Sequence, residues 1–448
     1  MHRNGFMKIV STIVCSMLFV GFAVAQTPNV VTYTIKKGDT MWSIAQANGI
    51  SVDELVAANP ELQQPDAKLK KGRTVVIPLK VEVQEATKPQ ARSISVGVIL
   101  PLTSKTSEAY RCLEFYRGLL MGADEVRKSG TDITFFTYDE NPADPTLAAT
   151  FAKLENHKAD VVFGPLYPSH FDDLAAFARK VKRPVIVPFS SKVAQVAYNP
   201  YIYELHTPER YLFQHLVELF FKEFKNTHVV FLSSEKGNQQ SFAQQLRSRI
   251  AAEGFTTSTL PLNFTPEAFQ KVVIAGKRTL FVPDDDRETT LNDALKSIKA
   301  LRVAKPGFEL SLLGYPDWFE RAAKNASDLY YADTYLFGDF YHNIYSQATK
   351  DFERSYQRWF GTALLPVYPR AALLGYDAAK QIFETLRTMQ PAEAQNSGDE
   401  AIVIPEKLSE AALQSPIRFA RVNQTGGYYN ANVWFLHYKR NHTVDRLE

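Results

Sequence analysis

At 448 residues the chain exceeds what one hydrophobic core usually supports, so at least two folded units are expected. Its 45% hydrophobic and 22% charged residues describe an ordinary soluble globular protein. With 51 Lys and Arg against 48 Asp and Glu, the formal charge of +3 removes the electrostatic reason to expect nucleic acid as a partner.

The leader "MHRNGFMKIVSTIVCSMLFVGFAVAQ" starts basic, runs apolar from Ile9 to Val24, and places Ala23 and Ala25 before Gln26. This A-x-A pattern predicts that residues 1–25 are a cleavable signal peptide, too short to span a membrane stably. No later segment has the uninterrupted apolar length of a membrane crossing, so the mature chain is expected in the periplasm with no integral membrane segment. Ile13 and Val14 are the wrong size to precede a lipidated Cys15. Cys112 alone then survives in the mature chain, which excludes an intramolecular disulfide. Cys112, Tyr116, Leu119, Ala123 and Val126 recur at helical spacing, so the thiol is expected on a buried, inert stripe.

"VTYTI" alternates like a strand, and "GDT" offers Asp39 or Thr40 as the N-cap of a helix ending at Gly49. In "SVDEL", Ser51 stands three residues before Glu54, a capping box for a second helix that turns Leu55 and Val56 inward. "GRTVVIP" returns as a strand, giving the order strand, helix, helix, strand. Tyr33, Lys37-Gly38-Asp39-Thr40, Trp42, Ile44-Ala45, Gly49-Ile50-Ser51, Leu55, Asn59-Pro60, Lys71-Gly72 and Ile77-Pro78 make residues 32–79 resemble the LysM domain. The resemblance implies a βααβ module, residues 26–79, that binds N-acetylglucosamine-containing glycans of peptidoglycan in a shallow groove between two loops. Carried onto this sequence, the loops are Gly38, Asp39, Thr40 and Met41, and Asn59, Pro60, Glu61 and Leu62. Met41 stands where the family commonly has leucine. Asp39, Thr40 and Asn59 are equally expected to cap helices and turns, a role compatible with glycan contacts through the backbone.

"KVEVQEATKPQARS" is polar and aperiodic, so residues 80–92 read as a linker. Short apolar runs then alternate with helix-length segments: "ISVGVIL", "DITFFTY", "DVVFG" and "RPVIVPF", followed after residue 207 by "THVVFLSS", "FTTSTLPL", "RTLFVPD" and "FELSLLG". Near-continuous apolar strands between helices predict an α/β class with doubly wound parallel sheets, and two successive series predict two lobes with a cleft between them.

"GVILPLTS", "RGLLMGADEV", "DITFFTYDENPADP", "ADVVFGPLYPSH" and "RPVIVPFSS" resemble the amino-terminal lobe of type I periplasmic binding proteins, particularly the branched-chain amino-acid receptors. The resemblance implies three crossings between lobes, expected near His206, residues 332–335 and residues 391–415. Lobe one is then 93–207 with 333–392, and lobe two is 208–332 with 393–448. "FARVNQTGGYYNANVWFLHYKRNHTVDRL" reads as a terminal antiparallel hairpin turning at "QTGG".

By the same resemblance, ligand is held after the third and fourth strands, at Tyr167 and Ser169 and at Ser190, Ser191 and Lys192. Lys192 departs from the small residue expected there; it either accepts an acidic ligand or fills the pocket. In lobe two, Ser234, Asn238 and Asp284 stand at strand-to-helix turns. Asp285, Asp286 and Glu288 read as caps for the helix beginning near Arg287 rather than as metal ligands. The cluster Tyr330, Tyr331, Tyr335, Phe337, Phe340, Tyr341 and Tyr345 suits sugar stacking, but core packing accounts for most of it, with one tyrosine left to face the cleft.

LysM modules often accompany hydrolases, yet the chain has no H-E-x-x-H, no G-x-S-x-G and no phosphate-cradling loop, so neither catalysis nor a cofactor is expected. The leading expectation is a peptidoglycan-attached solute-binding protein, of the ABC-transporter type or a sensory receptor, for a small amino-acid-like or wall-derived ligand. The alternative is a ligandless adaptor acting on a cell-wall synthase, since "VVFGPL" also resembles the lipoprotein activators of penicillin-binding proteins.

Overall fold

The computed structural model describes residues 30–64, 67–78, 93–234, 242–389, 401–409 and 411–447. The expected leader and linker, and Asn238, lie outside the described residues. The chain divides into two compact units, residues 1–83 and 84–448.

In the first unit, β1 (Val30–Thr34) pairs antiparallel with β2 (Thr74–Pro78), and the helices Met41–Ala47 and Val52–Ala57 lie between them in sequence. Both helices begin on reciprocal capping boxes, Thr40 with Ser43 and Ser51 with Glu54, which satisfy amides that have no intrahelical partner. Asp39 is not the cap. Its carboxylate accepts from the Tyr33 hydroxyl (3.0 Å) and the Lys36 amide (2.6 Å), closing the first loop. The core is Ile35, Ile44, Leu55, Val56, Val75 and Ile77, small enough that single polar contacts matter. Asn59 is 2% exposed; its Nδ2 donates to the Leu55 and Val76 carbonyls and its Oδ1 accepts from the Val76 amide. Asn59→Ala should cost this module about 2 to 3 kcal/mol by leaving those buried groups unmatched. Hydrogen exchange at the Val76 amide reads the loss, and unchanged protection would refute it.

In the second unit, β3 (Ile94–Leu100), β4 (Ile133–Asp139), β5 (Val161–Phe163), β6 (Val185–Val187) and β7 (Ile202–Glu204) are parallel in the order 4-3-5-6-7. These strands are apolar along their length because both faces are covered. Val161 and Phe163 face a core with Phe115, Leu119 and Ile382, whereas Val162 faces Leu154, Leu174 and Phe177. Helices Ser107–Arg127 and Ala371–Thr388 approach at backbone distance: a Cβ added at Gly118 would lie 2.0 Å from the Ala372 carbonyl oxygen. Cys112 lies on that buried helix face, and burial pushes its thiol up to about 12, an inert state.

A second parallel series follows: β8 (Thr227–Ser233), β9 (Thr257–Pro261), β10 (Arg278–Pro283), β11 (Leu310–Leu313) and β12 (Thr334–Gly338), ordered 9-8-10-11-12. The tail adds two antiparallel hairpins, one to each sheet. β13 (Phe419–Arg421) and β14 (Tyr428–Asn430) extend the first sheet beside β7, and β15 (Trp434–Tyr438) and β16 (Val444–Arg446) extend the second beside β12.

The doubly wound α/β class is as expected; the lobe boundaries are not. β12, expected to open the return to lobe one, is an inner strand of the second sheet, so the second crossing follows Gly338. The segment 393–448, expected wholly in lobe two, is split, with its crossing at residues 431–433. The physical reason is pairing: Phe419–Asn430 and Trp434–Arg446 are separate hairpins, and each completes a sheet edge. The crossings are tied together. Thr207 donates through its amide to Asp339 (3.4 Å) and through Oγ1 to the Asn430 carbonyl (2.6 Å), while His206 Nδ1 lies 3.1 Å from Asp339.

Candidate functional site

In such sheets ligands gather beyond the carboxyl ends of the parallel strands. On the first lobe the residues named from the sequence follow two of these strand ends. Tyr167 and Ser169 follow β5, and Ser190, Ser191 and Lys192 follow β6, with both serines half-buried. Gly164, which leads into the first of these loops, holds φ +100° and runs so close to β3 that a Cβ would meet the Ile99 carbonyl oxygen at 1.9 Å.

The amides at these strand ends are already matched by the chain's own carboxylates. Asp139, last in β4, accepts from the Leu102 and Thr103 amides at 2.7 and 3.1 Å. Fully buried Glu140 accepts from the Leu166 and Tyr167 amides at 2.7 and 3.1 Å. Its partner is His170, also fully buried, whose Nδ1 lies 2.7 Å from the carboxylate and whose Nε2 lies 3.0 Å from the Asp144 carbonyl. Burial raises the Glu140 carboxyl above its ordinary value, and with that carboxyl ionised the two acceptors call for a proton on each ring nitrogen. Burial opposes that charge, but the Glu140 carboxylate and the Asp144 carbonyl outweigh it and hold His170 above its ordinary value. Ser190 Oγ likewise accepts from the Lys192 amide (3.1 Å), and the Lys192 side chain is exposed, so it does not fill the cleft. Sequence reasoning missed Glu140 and His170, although "YDEN" and "YPSH" carried them, because charge spacing alone does not reveal a buried pair. It missed Arg111 as well, whose guanidinium covers the Phe189 ring at 4.6 Å.

On the second lobe, Ser234 and Asp284 brace each other. The Ser234 amide donates to Asp284 (2.8 Å) and its hydroxyl to Asp285 (3.0 Å). Burial disfavours the charge of Asp285, yet hydrogen bonds from Arg287, Thr290 and Ser234 overcome this and hold its carboxyl at about 2. The helix Glu288–Ala304 has Arg287 at its N-cap and no side-chain cap, so the expected capping by Asp285, Asp286 and Glu288 is not what forms; Asp285 accepts from the Arg287 amide (3.1 Å), while the Asp286 carbonyl accepts from Trp318 Nε1 (2.8 Å).

Beside this turn lies a cavity of about 290 Å³ at the carboxyl ends of the second sheet. Its apolar wall is Phe213, Phe242, Tyr315 and Phe337, with Phe242 centred 5.7 Å from Phe213 and 4.8 Å from Phe337. Glu209, Asp285, Asp286 and Asp317 supply the polar wall with Gln245, and no Lys or Arg among the described residues lines it. Burial and the neighbouring Asp286 carboxylate raise Asp317. None of the predicted cleft residues that are described lines this cavity. Of the tyrosine and phenylalanine cluster, Tyr335, Phe337 and Phe340 are buried, Phe337 is the member that reaches the cavity, and Tyr331 and Tyr345 are exposed.

In the small unit, Gly38, Pro60 and Glu61 are exposed, and Asp39 and Thr40 are half-buried. Met41, Asn59 and Leu62 are 2, 2 and 4% exposed, so their side chains hold the module together and do not face a glycan. That corrects the expectation for these three positions, because helix starts and turns pack their apolar and amide groups inward.

Residues 33–78 match the family model of the LysM domain, and residues 93–280 match that of the periplasmic binding proteins. No curated protein matches the chain. Among solved structures, one described as a branched-chain amino acid ABC transporter from Rhodospirillum rubrum is 15% identical, covers 79% of this chain and 100% of its own, and has a TM-score of 0.52. A solute-binding protein of an ABC transporter from R. palustris, in complex with 4-hydroxybenzoate, is 18% identical over 80% of this chain and 96% of its own, with a TM-score of 0.44. At these identities the likeness is one of fold.

Proposed function

We propose that this chain, a LysM domain followed by a type I periplasmic binding protein-like region, is an exported solute-binding protein held on peptidoglycan. Its solute is a small, amine-bearing molecule with an apolar body, of the amino-acid kind. The observation that carries this reading is the strand-end cavity of the second lobe, where an aromatic wall meets Glu209, Asp286 and Asp317 beside the Arg287-paired Asp285. Apolar surface there favours burial of a side chain, and clustered carboxylates favour an ammonium group. Gly38, Thr40, Pro60 and Glu61 offer the glycan-facing surface of the small unit, and attachment needs little affinity when the wall is locally concentrated. The proposed role is recognition rather than catalysis, in keeping with the match to the periplasmic binding proteins, and its partner is a membrane transporter or sensor. Among the described residues no helix is long and apolar enough to cross a membrane.

A second reading, an adaptor for a cell-wall synthase, has its own support. The first-lobe amides that would receive a ligand are satisfied by Asp139 and Glu140. A thermal-shift screen of the full chain against the common amino acids, their amines and muropeptides separates the two. The receptor reading expects the melting temperature to rise with ligand concentration by mass action, with Asp317→Asn weakening the response. A flat response across the panel overturns it in favour of the adaptor. Retention on purified sacculi tests attachment, and failure to sediment with them would remove the wall from the proposal.

A further inference from the structure

We propose that Arg111, on the first lobe, holds the anionic end of the solute, so that the ligand is a zwitterion taken between a first-lobe cation and the second-lobe carboxylates. This rests on the solute reading above and adds the residue that decides the ligand's charge. Arg111 lies in the opening turns of helix Ser107–Arg127, which follows the carboxyl end of β3. Its guanidinium lies 4.6 Å over the ring of Phe189, just past β6, and Phe115 packs on that ring at 5.3 Å. The cation thus stands among the strand ends of the first sheet, where ligands of such folds gather.

This half-buried guanidinium has no partner of its own. Its Nε is buried without an acceptor, and among the described residues neither a hydrogen bond nor an ion pair reaches it. Burial lowers it from the ordinary arginine value, and the carboxylate that counters this, Asp339, is already engaged by the Thr207 amide and by His206. Other arginines withdrawn from water are matched: Arg278 by Glu223 and Asp333, Arg302 by the Leu310 carbonyl, and Arg370 by the Leu365 carbonyl. A cation removed from water without a counter-charge is costly, and a bound anion removes that cost. A guanidinium lying over a ring leaves its N–H edge free, the geometry that takes a carboxylate on two donors. The nearby strand-end amides cannot serve instead, because Asp139 and Glu140 already accept from them. Asp339 links this cation to the cavity of the second lobe. It follows Phe337 by two residues, and its partner Thr207 precedes Glu209 by two, and both Phe337 and Glu209 line that cavity. The cation and the cavity carboxylates flank the same crossings from opposite lobes, so a solute with an ammonium and a carboxylate meets both.

The test is calorimetric titration of the full chain with each common amino acid and with its amide, which keeps the ammonium and side chain but has no carboxylate. An amino acid that binds should do so at least about ten-fold more tightly than its amide. In Arg111→Met, whose stem still covers Phe189, that preference should fall to about two-fold or less while the amide binds as before. The ligand-free melting temperature separates this from a structural role. With no bond lost and an unmatched charge removed, Arg111→Met should melt at or above the parent. A variant that melts well below the parent, an amide that binds as tightly as its acid, or a preference retained in Arg111→Met each overturns the assignment. Binding by the amides alone overturns Arg111 and spares the solute reading, whereas binding by neither series removes both.

Discussion

His170→Ala should destabilise the second unit by about 3 to 5 kcal/mol, because it strands the fully buried Glu140 carboxylate without its cationic partner. Chemical denaturation at neutral pH measures this, and a loss below about 1 kcal/mol would show that the pair is not ionised. The pH dependence has a definite sign. Since the folded state raises His170 above its ordinary value, its contribution is complete below about pH 6.5 and is lost as pH climbs through the raised value. The parent chain should therefore lose stability on the alkaline side of neutrality more steeply than His170→Ala does. Glu140→Gln combined with His170→Ala should recover part of the loss, since removing both charges leaves a smaller penalty than removing one. The Leu166 and Tyr167 amides sit on the same carboxylate, so exchange at these two amides should accelerate in the single variant.

Asp377→Ala should cost a similar about 3 to 5 kcal/mol, for a different reason. Asp377 is fully buried in helix Ala371–Thr388, and its carboxylate accepts the amides of Leu413, Gln414 and Ser415 at 2.7, 2.8 and 3.0 Å. Without it, three amides lose their acceptor. Ser415 in turn donates to the Asp339 carbonyl at 3.2 Å, so the change also loosens the second crossing. Burial raises the Asp377 carboxyl from 3.8 to about 6 despite those bonds. The folded state thus binds the proton more tightly than the unfolded chain. Stability from this group is present below about pH 4, falls as pH rises to about 6, and is level beyond, a change of about 3 kcal/mol. Asp377→Asn retains one acceptor oxygen and cannot titrate, so its stability should be flatter across that window. An unchanged pH slope in Asp377→Asn would remove this carboxyl from the account.

These groups also bear on the strand ends of the first sheet. Asp139 and Glu140 occupy the strand-end amides, and the Ser190 hydroxyl accepts from the Lys192 amide, so these backbone groups are internally satisfied. The solute site proposed above lies instead on the second lobe, in the carboxylate-rimmed cavity.

Local chemistry was legible in the sequence itself. The Ser51 and Glu54 capping box, the βααβ order and the eight apolar runs of the two sheets follow from interactions between near neighbours or from burial on both strand faces, which imprints a continuous apolar pattern. Tertiary structure alone decided what depends on distant partners. Hairpins at 419–430 and 434–446 have similar patterns, and nothing in them states which sheet edge each will complete. Glu140 and His170 are 30 residues apart, Asp377 and Ser415 are 38, and their charges become structural only once the fold has removed them from water. Met41 and Asn59 look like loop residues in a list of letters, yet packing turns them inward, because a side chain's direction is set by the backbone around it and by what it must pack against.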